Sequence, residues 1–103
     1  MGYKLRFIQK FSQKDKRRFL DLEKEFIRFE RNNFDMPKGR RYITISGKEP
    51  SNTLIWECEF ETMEELIKQL NAIHSNEEHE KLLQKQMLFI KDSYTEILEE
   101  FSL

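Results

Sequence analysis

The sequence predicts an α+β domain in which strand–helix–strand occurs twice over, provided that its closing segment is a strand. Three segments carry this expectation. In the stretch from Thr53 to Leu66, Leu54, Trp56, Cys58 and Phe60 share one parity and Glu57, Glu59 and Glu61 the other, so one strand face is apolar and one carries carboxylates. Thr62-Met63-Glu64-Glu65 follows at once as a capping box, with Thr62 as the cap and Glu65 reaching back. Tyr3, Leu5 and Phe7 likewise alternate with Lys4 and Arg6 ahead of an amphipathic stretch.

Residues 3–11 are therefore the first strand. Ser12 is the expected N-cap of a helix reaching about Asn32, on which Phe19, Leu22, Phe26 and Phe29 recur at spacings of three and four. Asn32 and Asn33 close it, and Met36-Pro37-Lys38-Gly39 is a turn. Arg40 to Ser46 is the second strand, with Ile43 and Ile45 on one parity and Tyr42, Thr44 and Ser46 on the other. A hairpin loop from Gly47 to Asn52 leads into the third. The second helix runs from Met63 to about His74, and Ser75-Asn76-Glu77-Glu78 is a further capping box that restarts it. Beyond it, Leu83, Met87, Ile90, Tyr94, Ile97 and Phe101 keep helical spacing, while Ser93-Tyr94-Thr95 favours a strand. Local pattern favours the helix there.

At 103 residues with nine Phe, three Tyr and one Trp, a single domain spanning 1–103 with a real core is expected. The net charge of −1 conceals an asymmetry. Residues 1–50 hold 14 Lys/Arg against 7 Asp/Glu, and residues 51–103 hold 4 against 12. Such halves could mark a nucleic-acid surface; the preferred reading is that they pack together and neutralise each other. Cys58 is the only cysteine, on the apolar parity, which makes it an inert buried thiol rather than a nucleophile. No apolar run is long enough for a membrane span or a signal peptide, and Arg6 breaks the myristoylation pattern after Met1-Gly2. A cytoplasmic protein is expected. His74 and His79, five apart and without a partner at ligand spacing, read as surface or capping residues, so no metal is expected.

The passage Leu54-Ile55-Trp56-Glu57-Cys58-Glu59-Phe60-Glu61-Thr62-Met63-Glu64-Glu65 resembles the strand-to-helix passage of the dimeric α/β-barrel superfamily, and most of all its NIPSNAP-type branch. The Ser75-Asn76-Glu77-Glu78 restart resembles the family too, and Glu96-Ile97-Leu98 resembles its closing strand. The resemblance implies a ferredoxin-like β-α-β-β-α-β protomer, a last strand near 94–100, and a homodimer whose sheets face each other as a barrel. In such a fold the first and third strands are neighbours. Lys4 and Arg6 would then face Glu57, Glu59 and Glu61, in pairs contributing roughly 0.2–1 kcal/mol each.

Leu5, Phe7, Ile43, Ile45, Trp56, Cys58 and Phe60 are expected on the helix side, with Trp56 buried near Phe19 and Phe26. The other side would line the barrel with Arg6, Tyr42, Thr44, Glu57, Glu59 and Glu96. These six are the candidate ligand-binding residues, set against the plainer reading of a salt-bridge lattice that fixes register and pairing. Haem-degrading members of the superfamily use an Asn, a Trp and a His; no Asn lies on the first strand here, so no catalytic residue is carried over. RNA-recognition motifs share the element order, but Glu57, Glu59 and Glu61 would repel phosphate, so neither nucleic acid nor membrane is an expected partner. The resemblance implies a small homodimeric protein of unassigned role binding a small ligand in the barrel, without a cofactor. The alternative is a cofactor-independent monooxygenase-like enzyme acting on a hydrophobic small molecule.

Overall fold

Alternation makes the two central strands, and their charged faces set the register between them. The computed structural model describes residues 2–102. Its elements are β1 (Tyr3–Phe11), α1 (Lys16–Asn32), β2 (Arg40–Ile43), β3 (Thr53–Phe60), α2 (Met63–Ser75), α3 (Glu77–Met87) and β4 (Ile90–Glu99). The strands form one antiparallel sheet in the order β2-β3-β1-β4, an α+β ferredoxin-like arrangement with the second helix split into α2 and α3. In the ladder Lys4 lies opposite Glu59, Arg6 opposite Glu57, and Arg6 opposite Glu96. Paired residues share a face, so Leu5, Phe7, Trp56 and Cys58 point to the helices. Lys4, Arg6, Glu57, Glu59 and Glu96 point away from them.

The closing segment is a strand along its whole length, beginning at Ile90, four residues before the stretch expected from the resemblance. Helical spacing holds through Met87, where α3 ends, and from Ile90 the backbone pairs with β1 instead. That long-range pairing outweighs the local pattern. The second strand, by contrast, is shorter than expected. It ends at Ile43, and after Thr44 donates its N–H to the Thr53 carbonyl the chain leaves the ladder. Ile45 is consequently 92 % exposed rather than part of the core, and Ile43 is exposed as well. Gly47 takes a φ of +139°, a region open to glycine, as the chain turns back over the sheet. There the Glu49 carboxylate accepts from the Tyr94 hydroxyl at 2.7 Å and lies 2.9 Å from Lys10 Nζ. The segment between β2 and β3 is thus a strap across the face that carries no helix, and Ile8 beneath it is only 1 % exposed.

The helix ends follow cap chemistry with two shifts. Thr62 Oγ1 accepts from Glu65 N at 3.1 Å, as the capping box predicts. At the restart the cap is Asn76, whose Oδ1 accepts from His79 N at 2.9 Å, while the Ser75 hydroxyl bonds back to the Ala72 carbonyl. Asn76 serves as both the end of α2 and the start of α3, so no loop separates them. Ser12 caps nothing with its side chain; it precedes a short 3-10 turn, Gln13–Asp15, and α1 begins at Lys16. At the far end Asn33 Nδ2 donates to the Phe29 carbonyl at 2.7 Å, closing α1 where expected.

The core falls into two clusters. Leu5, Phe29, Met36, Trp56, Phe60, Leu66 and Ile73 form one; Phe11, Phe19 and Leu54 form the other. Trp56 is buried as predicted, but against Phe29 and Met36 and stacked on Phe7 at 5.0 Å, not beside Phe19. Phe19 and Phe29 are ten residues apart, about 15 Å along a helix. Phe19 therefore covers Phe11 and Leu54, and Phe29 covers the Trp56 end.

The two charged halves neutralise each other only in part. The β1 cations are paired: Lys4 to Glu57 (3.4 Å), Arg6 to Glu57 and Glu96 (2.9 and 3.1 Å), Lys10 to Glu49. The outer side of α1 is different. Lys16, Arg17, Arg18, Lys24, Arg28 and Arg31 are exposed, and the described ion pairs of these six are those of Arg18 with Asp15 and Lys24 with Asp21, each at 3.9 Å.

Candidate functional site

The six residues singled out from the sequence all lie on the strap side of the sheet, but not in one pocket. Arg6, Tyr42, Thr44 and Glu96 line a broad groove under the strap, together with Ile8, Ile55 and Tyr94. Glu57 is drawn into ion pairs with Arg6 and Lys4, and Glu59 extends to solvent within 3.8 Å of Lys4. Exposed pairs of this kind are worth about 0–1 kcal/mol each. Their geometry is that of a register-setting ladder.

On the opposite side, between helices and sheet, lies a cavity of about 200 Å³. Phe7, Phe26, Phe29 and Trp56 supply its apolar wall. Glu23, Glu30, Arg41, His79 and Gln86 supply its polar groups, and the exposed His74, Ser93 and Thr95 stand at its rim. Arg41 reaches it because it lies opposite Trp56 in the ladder and so shares the helix face. Its guanidinium grips Glu30 through both terminal nitrogens and donates from Nε to Glu23. Burial works against the Arg41 charge, but Glu30 and Glu23 more than offset it and leave the pKa above its ordinary value. Gln86 is fully buried; its amide nitrogen donates to Glu23 Oε1 at 2.8 Å and to the Phe19 carbonyl at 3.3 Å. Gln86 Oε1 has no hydrogen-bond partner among the described residues.

His79 is not a surface histidine. Its ring lies 5.1 Å from that of Phe26, tilted by 59°, and burial holds its pKa below the usual histidine value, with Glu80 opposing the shift. Its Nδ1 has no hydrogen-bond partner among the described residues. Cys58 behaves as the sequence predicts. Burial first, and Glu30 second, push its thiol up to about 11, which removes it as a thiolate nucleophile at neutral pH. Among the described residues no group of three or more His, Cys, Asp or Glu could hold a metal, and no helix is long and apolar enough to cross a membrane.

Sequence reasoning passed over this cavity, although a signal for it was present. Glu23 sits four residues after Phe19 and three before Phe26, on the apolar stripe of α1. A carboxylate in such a stripe requires a buried partner. Arg41, on the same parity as Ile43, is that partner.

No protein-family model and no curated protein matches the chain. Solved structures do. A NIPSNAP family protein from Agrobacterium tumefaciens is 13 % identical with a TM-score of 0.77, covering 98 % of this chain and 94 % of its own. A NIPSNAP-like domain protein from Burkholderia xenovorans is 17 % identical with a TM-score of 0.77, covering 98 % and 86 %. An antibiotic biosynthesis monooxygenase is 10 % identical with a TM-score of 0.74, covering 97 % and 99 %. At these identities the likeness is one of fold. The chain thus has the α+β ferredoxin-like fold of NIPSNAP-type and antibiotic-biosynthesis-monooxygenase-type structures.

Proposed function

We propose that the protein is a homodimeric, non-enzymatic binding protein of the NIPSNAP-like kind, which takes a small hydrophobic molecule into the cavity between its helices and its sheet. The observation that carries this reading is the aromatic-walled space itself, with Gln86 fixed in its wall. A few placed polar groups on a mostly apolar concave wall are the usual make-up of a small-molecule site. The volume is below the roughly 300–1,000 Å³ of drug-sized pockets, so the ligand is small. The charged residues of the cavity are engaged with one another, which favours holding a molecule over transforming it. Support for the dimer comes from the strap side, where Tyr42, Tyr94 and Leu98 stay exposed on a sheet that no helix covers.

Toluene, followed by the thermal midpoint, tests the reading. At ten times its Kd a ligand specific for the folded state adds about 1.4 kcal/mol. Leu83→Phe, which places a larger side chain in the cavity wall, is expected to abolish that gain while the circular dichroism spectrum persists. A parent protein indifferent at saturation to toluene and to polar phenyl compounds of similar size would refute the binding reading.

A second reading, a cofactor-independent monooxygenase-like enzyme, is favoured by one observation. Burial keeps His79 towards neutrality with Nδ1 unpartnered, the state a general base requires. Its mark is dioxygen consumption that His79→Gln abolishes, with a bound hydroquinone giving its O–H proton to the base and its electrons to dioxygen.

A further inference from the structure

Charge inside the helix-face cavity does not balance. Two carboxylates, Glu23 and Glu30, share the single Arg41 guanidinium, with side chains 8 %, 13 % and 13 % exposed. The described wall holds no lysine and no second arginine. His79, facing Glu23 and Glu30 from α3 with Glu80 on its own helix and His74 across from α2, is held towards its neutral form by burial. By formal charge one negative charge is left over, among side chains no more than 13 % exposed, where an uncompensated charge is costly.

Gln86 adds an independent constraint. Its amide cannot flip, because both acceptors that it serves, Glu23 Oε1 and the Phe19 carbonyl, require the nitrogen. The amide oxygen is therefore fixed as an acceptor, fully buried and without a donor among the described residues. Phe7, Phe26, Phe29 and Trp56 line the same cavity, and an aromatic wall attracts cations. An acceptor awaiting a donor, a surplus negative charge and an aromatic wall all call for the same ligand chemistry.

We propose that the cavity takes a small arylalkyl ammonium ion, whose N–H donates to Gln86 Oε1, whose charge completes the Glu23–Arg41–Glu30 cluster, and whose ring packs on the Phe and Trp wall. This specifies the ligand class for the binding reading and rests on it. A carboxylate ligand would double the imbalance; a neutral arene would leave Gln86 unsatisfied.

Three probes of one shape and different charge decide the matter: phenethylamine, 2-phenylethanol and phenylacetate, titrated at pH 8 and followed by Trp56 fluorescence and the thermal midpoint. An alkylamine is protonated there, as lysine is with a pKa of about 10.4. Phenethylamine is expected to bind at least about tenfold more tightly than the alcohol, with phenylacetate weakest. Glu23→Gln, which keeps the shape and removes the surplus charge, is expected to erase the preference for the amine. The comparison of probes on the parent protein stands even if that variant does not fold. Equal or tighter binding of the alcohol or the acid overturns the cationic assignment and leaves the cavity reading intact. Failure of all three while toluene binds also overturns it alone, whereas failure of toluene as well brings down both.

Discussion

A methyl group at Gly39 would fall inside the indole of Trp56, overlapping Cε2 and Nε1 and coming within 2.6 Å of Cζ2. The ring cannot give way, because Trp56 is 6 % exposed, stacked on Phe7 and packed by Phe29 and Met36. Nor can the backbone move freely, since Gly39 N donates to Glu30 Oε1 at 3.2 Å. Gly39→Ala is therefore expected to cost about 1–3 kcal/mol or somewhat more. Trp56→Ala alone is expected to cost about 3–5 kcal/mol, and with the indole gone most of the Gly39→Ala penalty should vanish, a coupling that urea denaturation of the four proteins measures. A Gly39→Ala protein with parental stability and unshifted emission would mean that the indole lies elsewhere. Sequence alone reads this glycine as part of the Met36–Gly39 turn. Its actual constraint is contact with a side chain seventeen positions away, which no local pattern records.

At the scale of elements, the strap is held by charge. The Tyr94 hydroxyl, and after it Lys10, hold the Glu49 carboxyl below its usual range, and Glu49 in turn raises the Tyr94 and Lys10 pKa values. The sign follows from linkage. With its folded pKa depressed, Glu49 contributes fully above the ordinary carboxylate value of about 4.3, and the contribution is lost as pH falls through the folded value. Tyr94 and Lys10, with raised values, contribute fully below about 10 and lose the contribution as pH rises through theirs. In an NMR titration the Glu49 midpoint should lie below 4.3 or so and move up in Tyr94→Phe; a midpoint at the ordinary value, indifferent to that change, would detach the strap from Tyr94. The strands at residues 3–11 and 53–60 were legible because alternation is a local property. The strap was not, since Ile43 and Ile45 continue the alternation of β2 and nothing local reports that the chain bends back across β1. β4 was hidden by helical spacing carried over from α3, and the resemblance at Glu96-Ile97-Leu98 outweighed that spacing.

For the whole molecule, the strap side of the sheet is a surface with charged pairs at its centre and exposed Tyr42, Tyr94 and Leu98 around them. A second copy of the same surface is its proposed cover. Sedimentation at micromolar concentration is expected to give a particle of two 12.7 kDa chains, and a lone 12.7 kDa particle would end that proposal. The candidate residues Arg6, Glu57 and Glu96 were legible as a charged ladder because cross-strand pairing follows from parity. The helix-face cavity was harder to find. It is assembled from α1, α2, α3 and all four strands, and the partnership of Arg41 with Glu23 and Glu30 exists only once α1 and β2 meet.

The uncompensated outer side of α1 gives a strongly cationic patch to a chain of weak net negative charge. A formal charge of −1 describes it only from afar. Within a Debye length, about 8 Å at physiological ionic strength, a body approaching α1 meets its exposed Lys and Arg rather than the average over the chain. The attraction of that patch turns the particle before contact, so that encounters with an anionic surface are oriented rather than random. In low salt the patch also attracts the exposed carboxylates of other copies, so solubility is governed by ionic strength as much as by the distance of the pH from 6.2.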